Sequence, residues 1–244
     1  MNEEVSTLVA TYHNVTLGAG DRRKFFEPYI IAFSRHDDDY ERANGLLSQW
    51  RAYGGAGGYA LVFDTKGLVD IFKSDTDAHY YVSGLFGDVV YDGDDKKFEA
   101  EFEGAPDAIW RDFQQVILQQ QGPTFETLSR FMGAACRFKH RAFREENEVR
   151  AILAPMSIQD ISDFRRDHPK LYEDWGERHR KVPQFKSGMT PYLSISGGAG
   201  SKLPIKRIIV GPHIEKELRK ARLDRFLELT GVSVPTSVSE TPLV

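Results

Sequence analysis

Glu146, Glu148 and Arg150 fall two residues apart in the stretch KHRAFREENEVRAIL, Lys139 to Leu153. Two carboxylates and a guanidinium at that spacing could share one face and form a site. If the chain is extended from Asn147 onward, a period of two puts Glu146, Glu148 and Arg150 on one face and Val149, Ala151 and Leu153 on the other. Lys139, His140, Arg141 and Arg144 supply positive charge just upstream. A carboxylate among such cations stays ionised and can orient a ribose hydroxyl. The same row also fits a solvated strand face whose ion pair is worth at most about 1 kcal/mol.

The second stretch is LSQWRAYGGAGGYALVFD, Leu47 to Asp64. An apolar-aromatic turn carries Ser48, Gln49, Trp50, Arg51 and Tyr53 through Gly54, Gly55, Gly57 and Gly58 into a buried strand, Tyr59 to Phe63. The glycines let the backbone come close to another chain or a ligand. The spacing is not that of a phosphate-binding loop, and no helix follows the glycines directly, so an anion cradle at a helix N-terminus is not supported. A plain hairpin-like turn with a packed Trp accounts for the pattern equally well.

Several chemistries lack their residues. There is no GxSxG nucleophile elbow, no GxGxxG opening a helix and, among seven histidines, no HExxH pair. His36 followed by Asp37, Asp38 and Asp39 invites a metal, but adjacent carboxylates do not converge on one ion and the glycine of an EF-hand loop is missing, so a solvated loop is expected. Cys136 is the only cysteine, which excludes an intramolecular disulfide and a cysteine zinc cluster and fits a reducing compartment. A net charge of -4 argues against a broadly basic nucleic-acid surface. No apolar run reaches the ~18 residues of a membrane span, and the N-terminus has no basic flank and apolar core of a leader, so a cytoplasmic protein without a membrane partner is expected.

The elements that must position these stretches read as one domain over residues 1–244, with a poorly patterned segment at 1–27 and an irregular insertion at 156–186. Pro28 to Ser34 reads as a central strand, and Asp88 to Tyr91 as another. A helical or loop segment begins at Gly67. Asp92 to Gly104 reads as an acidic surface excursion. Helices are expected from Pro106 to Gly122 and from Thr124 to Phe138. Pro191 to Ser196 and Leu203 to Pro212 read as strands, separated by a glycine turn at 197–200. A helix from His213 to Thr230 would bury Ile214, Leu218, Ala221, Phe226 and Leu229, and Val232 to Val238 would add an edge strand. The expected fold class is α+β, a mixed, mostly antiparallel sheet covered by helices.

The order FSRHDD, LSQWRAYG, GGYALVFD, KHRAFREENEVR, LPIKRIIVGP and VSETP resembles the family known as domain of unknown function 2971, found in bacteria and often near defence or toxin genes. The resemblance runs from Tyr29 to Pro242, and SQWRAYG and the KH…F…E.E.R block are its most specific pieces. That layout is in turn distantly similar to ADP-ribosyltransferases. It implies NAD as a substrate, with Glu148 holding the nicotinamide ribose 2′-hydroxyl and Glu146 as its partner. It further implies Ser48 and Tyr53 in the nicotinamide pocket, Arg51 on a phosphate or on Glu148, and Arg150 and His140 as supports. The family's usual first segment is expected to be abbreviated, replaced or absent here, since Tyr12-His13 stands only about fifteen residues before PYIIAFS. The expected function is an ADP-ribosyltransferase-like effector of a toxin or phage-defence system, with a nucleic-acid or protein acceptor and an antitoxin as a partner. The alternative is a non-catalytic module that holds a protein partner through the Trp50-Arg51-Tyr53 edge.

Overall fold

The structure is a computed structural model, and it describes residues 27–55, 57–102, 107, 111, 125–186, 190–195 and 202–242. In chain order the elements begin with β1 (Tyr29–Ser34), α1 (Asp39–Asn44), α2 (Leu47–Tyr53), β2 (Tyr59–Phe63), α3 (Thr65–Ala78), β3 (His79–Asp88), β4 (Val90–Tyr91) and α4 (Asp95–Phe102). Next come α5 (Phe125–Ala135), β5 (Phe138–Lys139), a 3-10 helix (Arg141–Glu146) and β6 (Glu148–Pro155). The chain continues with α6 (Ile158–Asp167), α7 (Pro169–Asp174), β7 (His179–Arg180), β8 (Gln184–Phe185), β9 (Pro191–Tyr192), β10 (Ile205–Val210), α8 (Lys216–Leu229) and β11 (Thr236–Val238). The fold class is α+β, and its long strand pairings, β3 with β6 and β10 with β2, are antiparallel. The chain divides into two compact units, residues 1–32, 75–143 and 149–195, and residues 33–74, 144–148 and 196–244.

The first unit is built on a sheet of order β1-β6-β3-β7. β1 therefore lies at an edge, not at the centre where its apolar run placed it, and Ile30 and Ile31 are exposed. The expected Asp88–Tyr91 strand coincides with β4 and the last residue of β3, whereas the rest of β3 was not expected, because its own glycines disguise it. A Cβ at Gly84 would lie 2.8 Å from Thr76 Cγ2 and one at Gly87 2.6 Å from the Arg137 guanidinium, so both glycines admit close neighbours. Tyr80 and Val82 pack with Met132 of α5, Ala154 and Met156 at the end of β6, and Phe164 of α6. Tyr172 and Trp175 add stacked rings over Tyr80, at 5.7 and 6.2 Å.

Two stretches of this unit differ from expectation. The acidic segment after Tyr91 contains α4, started by Asp94 Oδ1, which accepts the Lys97 N–H, and anchored by buried Phe102 against Val90. The stretch from Met156 onward is not irregular: α6 and α7 occupy it. A capping box starts α6, with Ser157 and Asp160 each accepting the other's backbone N–H. Of the helix expected after Pro106 only Asp107 and Arg111 are described, both helical, and the rest lies outside the described residues. The glycine turn at 197–200 lies outside them too, and β9 covers only the first two residues of the strand expected there.

A buried ionic cluster ties the first unit together. Asp75, at the end of α3, is fully enclosed and accepts from Lys181 Nζ at 2.5 and 2.6 Å and from the Tyr81 hydroxyl at 3.3 Å. His79 Nδ1 lies 2.9 Å from the Asp75 carbonyl and 3.1 Å from its carboxylate. Both partners are acceptors, which assigns the proton to Nδ1. β7 runs parallel to the start of β3, with His79 opposite His179, so the alternation of both strands places His79, Tyr81 and Lys181 around one carboxylate. Burial and the Asp75 charge push the Tyr81 phenol up.

The second unit has a sheet of order β11-β10-β2. β10 is central and buried at Ile208, Ile209 and Val210, and β11 is the expected edge strand. β2 keeps its expected bounds but is also an edge strand, with Tyr59 and Leu61 exposed rather than buried. α8 forms as expected but presents a different face. Leu227 is buried, whereas Ile214, Leu218, Phe226 and Leu229 are exposed. The inner row is polar and has partners: Lys216 Nζ donates to the Ser239 carbonyl, and Asp224 accepts from Thr236 and pairs with Lys220. Apolar periodicity misassigned the face because Lys216 and Asp224 find hydrogen-bond partners in the Ser239 carbonyl and the Thr236 hydroxyl.

Candidate functional site

Ser48, Arg51, Tyr53, Glu146 and Glu148 all belong to the second unit, whereas His140 and Arg150 belong to the first. The stretch read as a turn through Ser48 and Tyr53 is the helix α2. Trp50 fixes that helix from inside. Its indole N–H donates to the Asn44 carbonyl at 2.8 Å, and its ring leaves no room for a Cβ at Gly45 or Gly211. Asn44 in turn accepts the Glu240 N–H through its side chain, while its carbonyl also accepts from Ser239 Oγ. The residues of SQWRAYG and VSETP are thus joined in one buried network around Asn44. Trp50 is half-buried and anchors the helix through these contacts, whereas Arg51 and Tyr53 of the same edge are exposed.

The other side of α2 is open. Arg51 is exposed, three residues from Ser48, and Tyr53 is 74% exposed. The glycine loop that follows approaches α8. Gly57, at φ +97°, faces His213 and Arg219, and the Arg219 guanidinium donates to the Gly57 carbonyl and lies over the Tyr59 ring. A side chain at Gly57 would meet both, so this glycine is required by close packing.

The structure brings α2 to the acidic stretch. Ser48 Oγ donates to the Glu145 carbonyl at 3.2 Å. Glu146 closes the 3-10 helix, Asn147 follows at φ +44°, and β6 starts only at Glu148. Strand alternation therefore does not extend back to Glu146, and the shared face expected for Glu146 and Glu148 is not a consequence of sheet geometry. Glu148 is 6% exposed. A carboxylate so enclosed is retained only with polar partners, and it interacts with a nearby positive charge more strongly than one in water.

The FSRHDD residues, which carried no role beyond a solvated loop, complete this corner. The Arg35 N–H donates to the Asn147 carbonyl at 2.8 Å, and Asn147 Nδ2 donates to the Arg35 carbonyl and to Asp37 Oδ2. Asp38 caps α1 by accepting the Glu41 N–H, and Asp39 pairs with Arg42. The three aspartates thus divide among three partners. Among the described residues no group of three or more His, Cys, Asp or Glu could hold a metal ion. Burial, with Arg207 and Arg42 nearby, holds the His36 imidazole below its usual pKa against the opposing pull of Glu41 and Asp37. The sequence signal for this corner was the polar run itself, which marks a capping loop as readily as a metal loop.

His140 and Arg150 have their own engagements. His140 Nδ1 accepts the Ala142 N–H at the start of the 3-10 helix, and Arg150 Nη1 donates to the Cys136 carbonyl at 2.5 Å. Cys136 is half-buried, and desolvation raises its thiol against the opposing pull of Arg150.

The fold and this corner define an α+β protein with an enclosed glutamate at the start of a strand and an exposed Arg-Tyr pair on a neighbouring short helix. Residues 49–151 match the family described as a protein of unknown function, DUF2971. The matched stretch runs from the SQWRAYG helix through β6 as far as Ala151, and it supports the family resemblance of those two motifs. No curated protein and no solved structure matches the chain. Among the described residues no helix is long and apolar enough to cross a membrane.

Proposed function

We propose that the chain transfers ADP-ribose from NAD, with Glu148 accepting a hydrogen bond from the nicotinamide ribose 2′-hydroxyl. In the step, the C1′–N bond breaks and its electron pair leaves with neutral nicotinamide. The acceptor's oxygen or nitrogen bonds to C1′ and releases its proton to solvent. Between those events C1′ carries oxocarbenium character, and a carboxylate shielded from water stabilises it through the 2′-oxygen. The observation that carries this reading is the enclosure of Glu148 at the start of β6, beside a helix that bonds to the Glu145 carbonyl. Ser48 spends its proton on that carbonyl and keeps its lone pairs for an amide N–H of nicotinamide. Exposed Arg51 is the cation for a phosphate. Glu146 enters this reading as the partner of Glu148. In the toxin or defence setting that the resemblance implies, the acceptor is a nucleic acid or a protein.

Calorimetry of the purified chain with NAD tests the substrate. Binding that weakens about tenfold or more in Arg51→Ala is the expected result for a charged contact. Absence of binding by the wild-type chain would overturn the assignment of NAD.

A second reading rests on Tyr53 and Arg51, both exposed on α2. They would hold a protein partner such as an antitoxin without catalysis. A partner that co-purifies with the wild-type chain and is lost on Tyr53→Ala, with the fold intact, is its expected result. Retention of the partner by that variant would remove this reading.

A further inference from the structure

We infer that Asn147 is a positioning residue for the Glu148 carboxylate, and this inference rests on the role proposed for Glu148. Among the described residues Asn147 is the sole non-glycine residue with a positive φ, +44°. That conformation costs most residues free energy, and Asn tolerates it better than others because its short side chain bonds locally. Such a residue persists where its surroundings over-determine it.

Here they do so through four polar links. The Asn147 N–H donates to the Arg144 carbonyl at 3.2 Å and closes the 3-10 helix. Its carbonyl accepts the Arg35 N–H at 2.8 Å. Its side-chain amide donates to the Arg35 carbonyl at 3.2 Å and to Asp37 Oδ2 at 2.8 Å, which uses both amide hydrogens. Asp37 is itself held, since its N–H donates to Glu41 Oε2 at 2.8 Å and its carbonyl accepts from Arg42 Nη2 at 2.7 Å. The left-handed residue is thus anchored to the capped start of α1.

The consequence falls on the next residue. The chain arrives at Asn147 from a 3-10 helix and leaves it as β6, so the dihedrals of Asn147 set the direction in which Glu148 enters the strand. Strand side chains alternate between faces, and a change of sign in φ at Asn147 re-aims the side chain that follows. FSRHDD and the acidic block are therefore one device: the first clamps Asn147, and Asn147 aims Glu148.

The test compares Asn147→Ala, which loses both the side-chain links and the tolerance for positive φ, with Asn147→Gly, which loses only the links. Thermal unfolding checks the fold of each. The readouts are kcat and KM for nicotinamide release from NAD and the titration of the Glu148 carboxyl by carbon-13 NMR. The expected result is a kcat lowered about 100-fold in Asn147→Ala, the loss typical of a small misplacement, with KM nearly unchanged. The Glu148 titration moves in the same variant, and Asn147→Gly restores most of both. A wild-type kcat and titration in Asn147→Ala would overturn the positioning role while leaving the proposed reaction standing. If the wild-type chain releases no nicotinamide, the proposed reaction fails, and the carboxyl titration alone decides: movement in Asn147→Ala that glycine reverses supports positioning, and no movement overturns it. Should Asn147→Ala not fold, Asn147→Ser takes its place, too short to reach Asp37 and subject to the same two outcomes.

Discussion

Trp50 shows how one side chain changes meaning between sequence and structure. Its place in a glycine-flanked aromatic cluster fits a partner surface and a packed anchor equally well, and the indole bond to Asn44 gives it an anchoring contact. Trp50→Ala is expected to cost about 3 kcal/mol of unfolding free energy from the lost packing and hydrogen bond, read by chemical denaturation. A loss under about 1 kcal/mol would contradict the anchor role. His36 carries a pH prediction. Burial lowers its folded-state pKa below the ordinary 6.5, so the unfolded chain binds the proton more readily. Its contribution to stability is complete above pH 6.5 and declines as pH falls through the folded-state value. Thermal midpoints should drop below pH 6.5, and His36→Gln should flatten that drop. An unchanged slope in the variant would assign the effect to other groups.

At the level of elements, legibility followed the kind of force that makes each one. β10 was found from its apolar run, because burial of Ile208, Ile209 and Val210 decides it. α6 was missed although Ser157 and Asp160, three residues apart, announce its start and Ile161 and Phe164 recur at helical spacing; the charges between them hide that period. β3 was missed because Gly84 and Gly87 interrupt its apolar pattern to admit Thr76 and Arg137, the second a contact from far along the chain that local sequence does not encode. The Asp75 cluster was invisible for the same reason, since Lys181 comes from 106 residues away. Lys181→Met leaves the buried carboxylate without its cation, at an expected cost of about 3 kcal/mol in denaturant unfolding. Arg166→Ala, which breaks solvent-exposed pairs with Asp163 and Asp167, should change nothing measurable. Equal effects of the two variants would contradict the weight placed on burial.

For the whole molecule, composition and the mixture of helical and strand periods were enough for the α+β class, but the division into two compact units was not legible. Each unit draws on discontinuous stretches, and residues 144–148 join the second unit from within the first. No composition shift marks such an exchange. The candidate site was legible in part. SQWRAYG and the acidic block stood out as dense polar stretches, and the Ser48 bond to Glu145 brings them together. The dependence of Glu148 on Asn147 and Asp37 was not legible, because it lies in one backbone angle and in hydrogen bonds across 110 residues. The central claim is that Glu148 supports cleavage of the nicotinamide bond of NAD. Its most direct test is nicotinamide release by the wild-type chain beside Glu148→Gln, with single-stranded DNA, RNA and protein offered separately as acceptors. Release with one of these acceptors, and a loss of about 100-fold or more in the variant, is the expected result. Release that proceeds equally in Glu148→Gln would contradict it.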